Sequence, residues 1–240
     1  MAGNQISILV VDDAPQIQRL LRTGLAAQRF HTVEAASAAA ALTQLVRQDF
    51  DLMILDLGLP DRSGLELIEE IRRSSALPII VLSVLDDEAS TVKAFELGAD
   101  DYVTKPFSMA ELVARIRAAL RHRFQAQGTP PVLYHRDLAI DLVNRRVTRA
   151  GQDVKLSPTE YDILSLLAEH AGKVLTHDLI LSRIWGPDKV DDIQYLRVYI
   201  RALRQKLGDP AGQSEIIVTE SGIGYRLIAS DQAAPPPGVG

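Results

Sequence analysis

The 240-residue chain has no cysteine, which excludes a disulfide framework and thiolate metal sites and fits a reducing compartment. It also lacks any apolar run near the roughly 20 residues that a membrane-spanning helix needs. Its opening, MAGNQISILVVDDAP, has neither a basic start nor a cleavable small-residue site, so a cytoplasmic location is expected. An excess of basic charge is missing too. The formal net charge is −5, with 13 basic and 17 acidic residues up to Arg123 and 13 and 14 after it. Any contact with nucleic acid must therefore come from a local patch. The five histidines, His31, His122, His135, His170 and His177, show no metal-ligand spacing.

What is present is a regular alternation. Through residue 122, the short aliphatic runs ISILVV, HTVEA, DLMILDL, LPIIVLS and DYVTK are each followed by an amphipathic stretch. Residues 1–122 are thus expected to form an α/β, doubly wound domain with a five-stranded parallel sheet and helices on both faces. RFQAQGTPP, residues 123–131, has Gly, paired Pro and little to bury, and reads as a linker. Residues 132–230 read as a second, α+β domain. RDLAIDL, RRVTRAG and QDVKL suit a small antiparallel sheet. Ser157, Pro158 and Glu160 then open a helix with a capping box. A second helix follows Thr176, and a third runs from about Asp191 to Leu207, stopped by Gly208 and Pro210. EIIVTESGIGYRLI reads as a closing hairpin, and residues 231–240, rich in Pro and Gly, as a disordered tail.

The stretch DLMILDLGLPDRSG ends a core-strand pattern on a carboxylate, Asp56, which is costly unless something cationic compensates it. Other strands end in a related way. ISILVV ends on Asp12 and Asp13, PIIVL on Ser83, and DYVT on Lys105 followed by Pro106. Ligands of open α/β sheets sit at the carboxyl ends of the strands, so these groups should meet in one shallow pocket. Three converging acids would repel one another. A hard divalent ion such as Mg²⁺, held by carboxylates, a backbone oxygen and waters, resolves that repulsion, with Lys105 supplying the remaining positive charge.

VVDDAP, LDLGLPDRSG, VLS and GADDYVTKPF, in this order and spacing, resemble the signature of two-component receiver domains. The resemblance covers residues 6 to about 122. It implies that Asp56 accepts a phosphoryl group from a sensor histidine kinase, and that Asp12, Asp13, Asp56 and the Gly58 carbonyl hold Mg²⁺. It further implies that Ser83 binds the phosphoryl oxygens, that Lys105 bridges Asp56 or its phosphate, and that Tyr102 is an aromatic switch turning inward when Ser83 moves. Lys105–Pro106 is then expected to be cis. Phosphoryl transfer asks mainly for positioning and charge neutralisation, which such a pocket supplies.

In the predicted third helix, Ile193, Leu196, Ile200, Leu203 and Leu207 share one stripe and should face the core. Gln194, Arg197, Val198, Arg201, Arg204 and Gln205 lie opposite or beside it, with no acid to pair them. Arg and Gln can make bidentate contacts to base edges and Val can meet a thymine methyl, so the face suits a major groove. Residues 132–230 resemble the winged helix-turn-helix of the OmpR/PhoB class, and YLRVYIRALRQKL with TESGIGYR is similar to the Kdp potassium-transport regulators. One departure is Ser221, preceded by Glu220, where many class members carry a wing arginine. The resemblance implies a DNA-binding regulator that pairs as a homodimer on phosphorylation and binds two half-sites, through a face that includes Glu111 and on which Asp101 and Arg115 match the class. Thr91 and His122 replace basic residues common there, which predicts a weak dimer. Two other functions are weighed. A phosphohydrolase acting through an aspartyl phosphate would need a second acid where Gly58 stands, and the C-terminal domain could instead bind protein. No turnover of an external substrate is expected.

Overall fold

The computed structural model describes residues 6–84, 88–186, 192–209 and 215–228. The chain divides into two units between Gln127 and Gly128. The first contains β1 (Ser7–Val11), α1 (Pro15–Ala27), β2 (His31–Ala35), α2 (Ala38–Arg47), β3 (Leu52–Leu55), α3 (Gly64–Arg72), β4 (Ile79–Ser83), α4 (Glu88–Glu96), β5 (Asp101–Thr104) and α5 (Met109–Ala126). Its five strands form one parallel sheet in the order β2-β1-β3-β4-β5. β1, β3 and β4 are apolar almost throughout because helices cover both their faces. Each fully buried Leu or Ile side chain contributes about 1.5–3 kcal/mol.

Register sets the strand ends level. Val11 lies beside Leu55 and Leu55 beside Val81, so the residues that follow β1 and β3 emerge side by side. The ladder runs one step further, since Asp12 N donates to Ala35 O, Asp56 N to Val11 O and Lys105 N to Ser83 O, at 2.8–3.1 Å. Three predicted site residues therefore have their backbones held by the sheet.

The expected linker start needs correction, because α5 continues through residues 123–126. Arg123 Nη1 donates to the Phe50 carbonyl at 3.1 Å and to Asp51 Oδ1 at 2.8 Å, holding the end of the helix against the approach to β3. Asp51 in turn accepts from Ser7 N at 2.7 Å. Burial raises the Asp51 pKa above the usual carboxylate value, although Arg123 works against that.

The second unit contains β6 (Val132–His135), β7 (Leu138–Asp141), β8 (Arg146–Arg149), β9 (Gln152–Asp153), α6 (Pro158–Glu169), β10 (Leu175–Thr176), α7 (His177–Trp185), α8 (Ile193–Leu207), β11 (Ile217–Glu220) and β12 (Gly224–Leu227). β6 to β9 form an antiparallel sheet in chain order, and β10-β12-β11 a second one. β6 is an additional strand beside the three runs that the sequence pattern picks out.

The capping box forms as expected. Ser157 Oγ accepts from Glu160 N at 3.3 Å, and Glu160 Oε2 accepts from Ser157 N at 2.6 Å. The same carboxylate accepts from Lys206 Nζ at 2.6 Å, which ties α6 to α8. α8 buries Leu196, Ile200, Leu203 and Leu207, with Ile193 half-buried at its first turn, and Gly208 ends it in the left-handed region at φ 64°. Asp191, Pro210 and the tail 231–240 lie outside the described residues.

Candidate functional sites

The order β2-β1-β3 reverses direction at β1, and the carboxyl ends of β1 and β3 flank the crevice where such sheets bind ligands. Asp12 and Asp56 stand one residue past those strands, with 2 % and 8 % exposure, and Ser83 ends β4 at 1 %. Asp13 is exposed. Lys105, one residue past β5, donates from Nζ to Asp12 Oδ2 at 2.7 Å and to Asp56 Oδ2 at 2.8 Å. Burial pulls the Lys105 ammonium down, but the bonds and charges of Asp12 and Asp56 outweigh it, and its pKa lies above the usual lysine value. The cation that Asp56 requires is therefore Lys105, held in its charged form.

One cation does not balance three acids. A carboxylate oxygen from each of Asp12, Asp13 and Asp56 lies within 4.8 Å of the others, a hard-oxygen set that fits a divalent ion such as Mg²⁺. The remaining oxygens are partly committed, with Asp12 Oδ1 accepting from Ala14 N at 2.9 Å and Asp56 Oδ1 from Gly58 N at 3.3 Å. Gly64 explains the end of the LDLGLPDRSG motif. A Cβ there would stand 2.6 Å from the Asp56 carbonyl oxygen, so only glycine lets α3 start so close to the acceptor strand. Lys105–Pro106 is cis. Tyr102 lies on β5 opposite Val81 of β4, half-buried and packed against the core.

Asp101, Glu111 and Arg115 gather within this one chain. Arg115 donates to both Asp101 oxygens at 2.8 and 3.0 Å and to Glu111 Oε1 at 2.9 Å. Asp100 is engaged as well, accepting from Arg72 Nη2 at 2.8 Å and Ile79 N at 2.7 Å. Arg72 went unnoticed in the sequence, because its partners Gly98 and Asp100 lie 26 and 28 residues away.

On α8, Gln194, Arg197, Val198, Arg201 and Gln205 are exposed, Val198 at 65 %. Arg204 is not part of that face, contrary to expectation. Its Nε and Nη2 donate to the Ile217 carbonyl at 3.1 and 2.6 Å, and Nη2 also to Thr219 Oγ1 at 2.8 Å. The hairpin returns beside the helix and takes the guanidinium as a strut. Gly224 permits the hairpin's close approach to β10, since a Cβ there would collide with the Leu175 carbonyl.

Two family models match the chain: the response regulator receiver domain over residues 8–117, and the C-terminal domain of transcriptional regulatory proteins over residues 151–227. The KDP operon transcriptional regulatory protein KdpE of Escherichia coli (strain K12) is 40% identical over 222 residues, covering 92% of this chain and 99% of that protein. The transcriptional regulatory protein KdpE of Mycobacterium tuberculosis (strain ATCC 25618 / H37Rv) is 41% identical over 223 residues, covering 92% and 99%. The protein of the same name from Staphylococcus aureus (strain NCTC 8325 / PS 47) is 39% identical over 225 residues, covering 93% and 97%. No described helix is long and apolar enough to cross a membrane.

Proposed function

The chain belongs to the OmpR/PhoB-type response regulators, in the company of the KdpE proteins, and from that premise we propose that phosphorylation of Asp56 by a sensor histidine kinase switches its binding to duplex DNA. The observation that carries this reading is the buried Asp12–Lys105–Asp56 bridge at level strand ends. An Asp56 carboxylate oxygen attacks phosphorus, the bond to the histidine nitrogen breaks, and an acyl phosphate forms. Lys105 and Ser83 then bind phosphoryl oxygens. Mg²⁺, which Asp12, Asp13, Asp56 and the Gly58 carbonyl would hold, supplies charge neutralisation for those oxygens. Movement of Ser83 toward the phosphate frees space for Tyr102 to turn inward.

The second unit places Gln194, Arg197, Val198, Arg201 and Gln205 of α8 in a major groove. The target is a Kdp operon, the kind that the Escherichia coli relative's name specifies, and the resemblance to the Kdp regulators makes it a potassium-transport operon in this reading. Phosphorylated chains pair through the face that includes Asp101, Glu111 and Arg115, and occupy two half-sites. Because Arg115 already pairs with both acids in the single chain, pairing exchanges contacts more than it adds them, and exposed pairs are worth only about 0.2–1 kcal/mol each. The homodimer is therefore weak without DNA.

Selection from randomised duplexes, with and without acetyl phosphate and Mg²⁺, tests the reading. Paired half-sites about one helical turn apart should be enriched, and more strongly after phosphorylation. No sequence enrichment in either condition would contradict it.

A further inference from the structure

The β11–β12 hairpin makes arginine contacts of two kinds. Register pairs Thr219 with Tyr225 and Ile217 with Leu227, and Arg204 reaches this face from α8. Val218 opposite Arg226 and Glu220 opposite Gly224 make up the other face. There Glu220 Oε1 accepts from Arg226 Nε at 3.0 Å and Nη2 at 2.7 Å, with both side chains about one-third exposed. Glu220 stands at the very tip. Its carbonyl accepts from Ile223 N at 3.0 Å, closing a turn in which Gly222 takes φ 76°. Ser221, Gly222 and Ile223 add no charge.

An acid at the tip of a DNA-approaching hairpin is repelled by phosphate, and an arginine beside it is attracted. Joined, they cancel. We propose that Glu220 is a specificity-determining residue, which by holding Arg226 keeps the hairpin out of sequence-independent phosphate binding and leaves discrimination to the exposed face of α8. The proposal rests on the duplex-DNA reading above and identifies how the site limits off-target affinity. Non-specific binding is driven by counterion release, with log K falling by about 0.9 per phosphate contact for each tenfold rise in salt. An Arg226 released from Glu220 should add about one such contact.

The test measures binding of the full chain to a selected and an unrelated duplex across a salt series, for wild type, Glu220→Gln, Arg226→Gln and the double variant, with thermal unfolding confirming that each is folded. Glu220→Gln should bind the unrelated duplex about two- to fivefold more tightly, corresponding to an exposed ion pair's worth. Its salt slope should steepen by about one contact, and the ratio between selected and unrelated duplexes should shrink. The double variant should show none of this gain. An unchanged slope in Glu220→Gln, or a double variant that binds the unrelated duplex as tightly and as steeply as Glu220→Gln, would overturn the proposal. Wild-type protein that binds no duplex at all would overturn the DNA reading first, and the proposal with it.

Discussion

The candidate sites of the two units handle charge in opposite ways, although the second unit also holds a buried pair, Arg145–Asp162, elsewhere. In the first, Asp12 and Asp56 are buried and Lys105 is half-buried between them, all three fixed by continuing ladder bonds and the lysine bound to both acids. In the second, the candidate reading residues are exposed on one helix face, and Arg204 beside them serves as a strut to the hairpin. A buried charge site is an interdependent set, because each member offsets the desolvation of the others. An exposed reading face is a collection of separable contacts. Substitutions should therefore act jointly in the first site and singly on the reading face of the second.

The largest stability effect is expected at Lys105. Lys105→Ala leaves Asp12 and Asp56 buried without their cation and should cost about 3 kcal/mol, the low end for a broken buried pair, because the pocket mouth is open at Asp13. Urea unfolding in EDTA checks this, and Mg²⁺ should recover part of the loss. Equal stability of the variant and the wild type in EDTA would remove the interdependence that sets the two units apart.

Arg201→Ala should cost about 1–3 kcal/mol on the selected duplex and relax preference at one base pair. Arg204→Ala should instead weaken binding on every sequence alike, since it loosens the hairpin. Binding profiles on single-base variants of the site distinguish the two, and the reverse pattern would restore Arg204 to the reading face.

The smallest effect is in pH. Partial desolvation at the end of α6, with Lys173 and Arg183 nearby, lowers the His170 pKa below the usual 6.5, although the side chain remains exposed. The unfolded chain then takes up a proton near pH 6.5 that the folded unit refuses, so stability is lost as pH falls below that value. Trp185, the single tryptophan, lies in this unit and reports its unfolding. Its transition should drop between pH 7.5 and 5.5, and drop less in His170→Asn. Identical pH responses would assign the change to other groups.

Much of this was legible in the residues, for identifiable reasons. Strand ends were readable because the buried strands are short apolar runs that stop abruptly on Asp12, Asp56 and Ser83. The Ser157–Glu160 capping box is a local pattern four residues long. What escaped depends on contacts distant in sequence. Arg123 extends α5 because Asp51 lies 72 positions earlier, and Arg204 leaves the reading face because Ile217, 13 residues on, returns beside it. A helical period places a residue on a face without showing which element comes back to cover it.

The central claim is that Asp56 is the single phosphoryl acceptor of a metal-dependent switch. Incubating the chain with acetyl phosphate and Mg²⁺ and mapping the acid-labile adduct tests it most directly. The account predicts label on Asp56 alone, lost in Asp56→Asn and suppressed by EDTA. Undiminished label in Asp56→Asn, or equal labelling in EDTA, would contradict it.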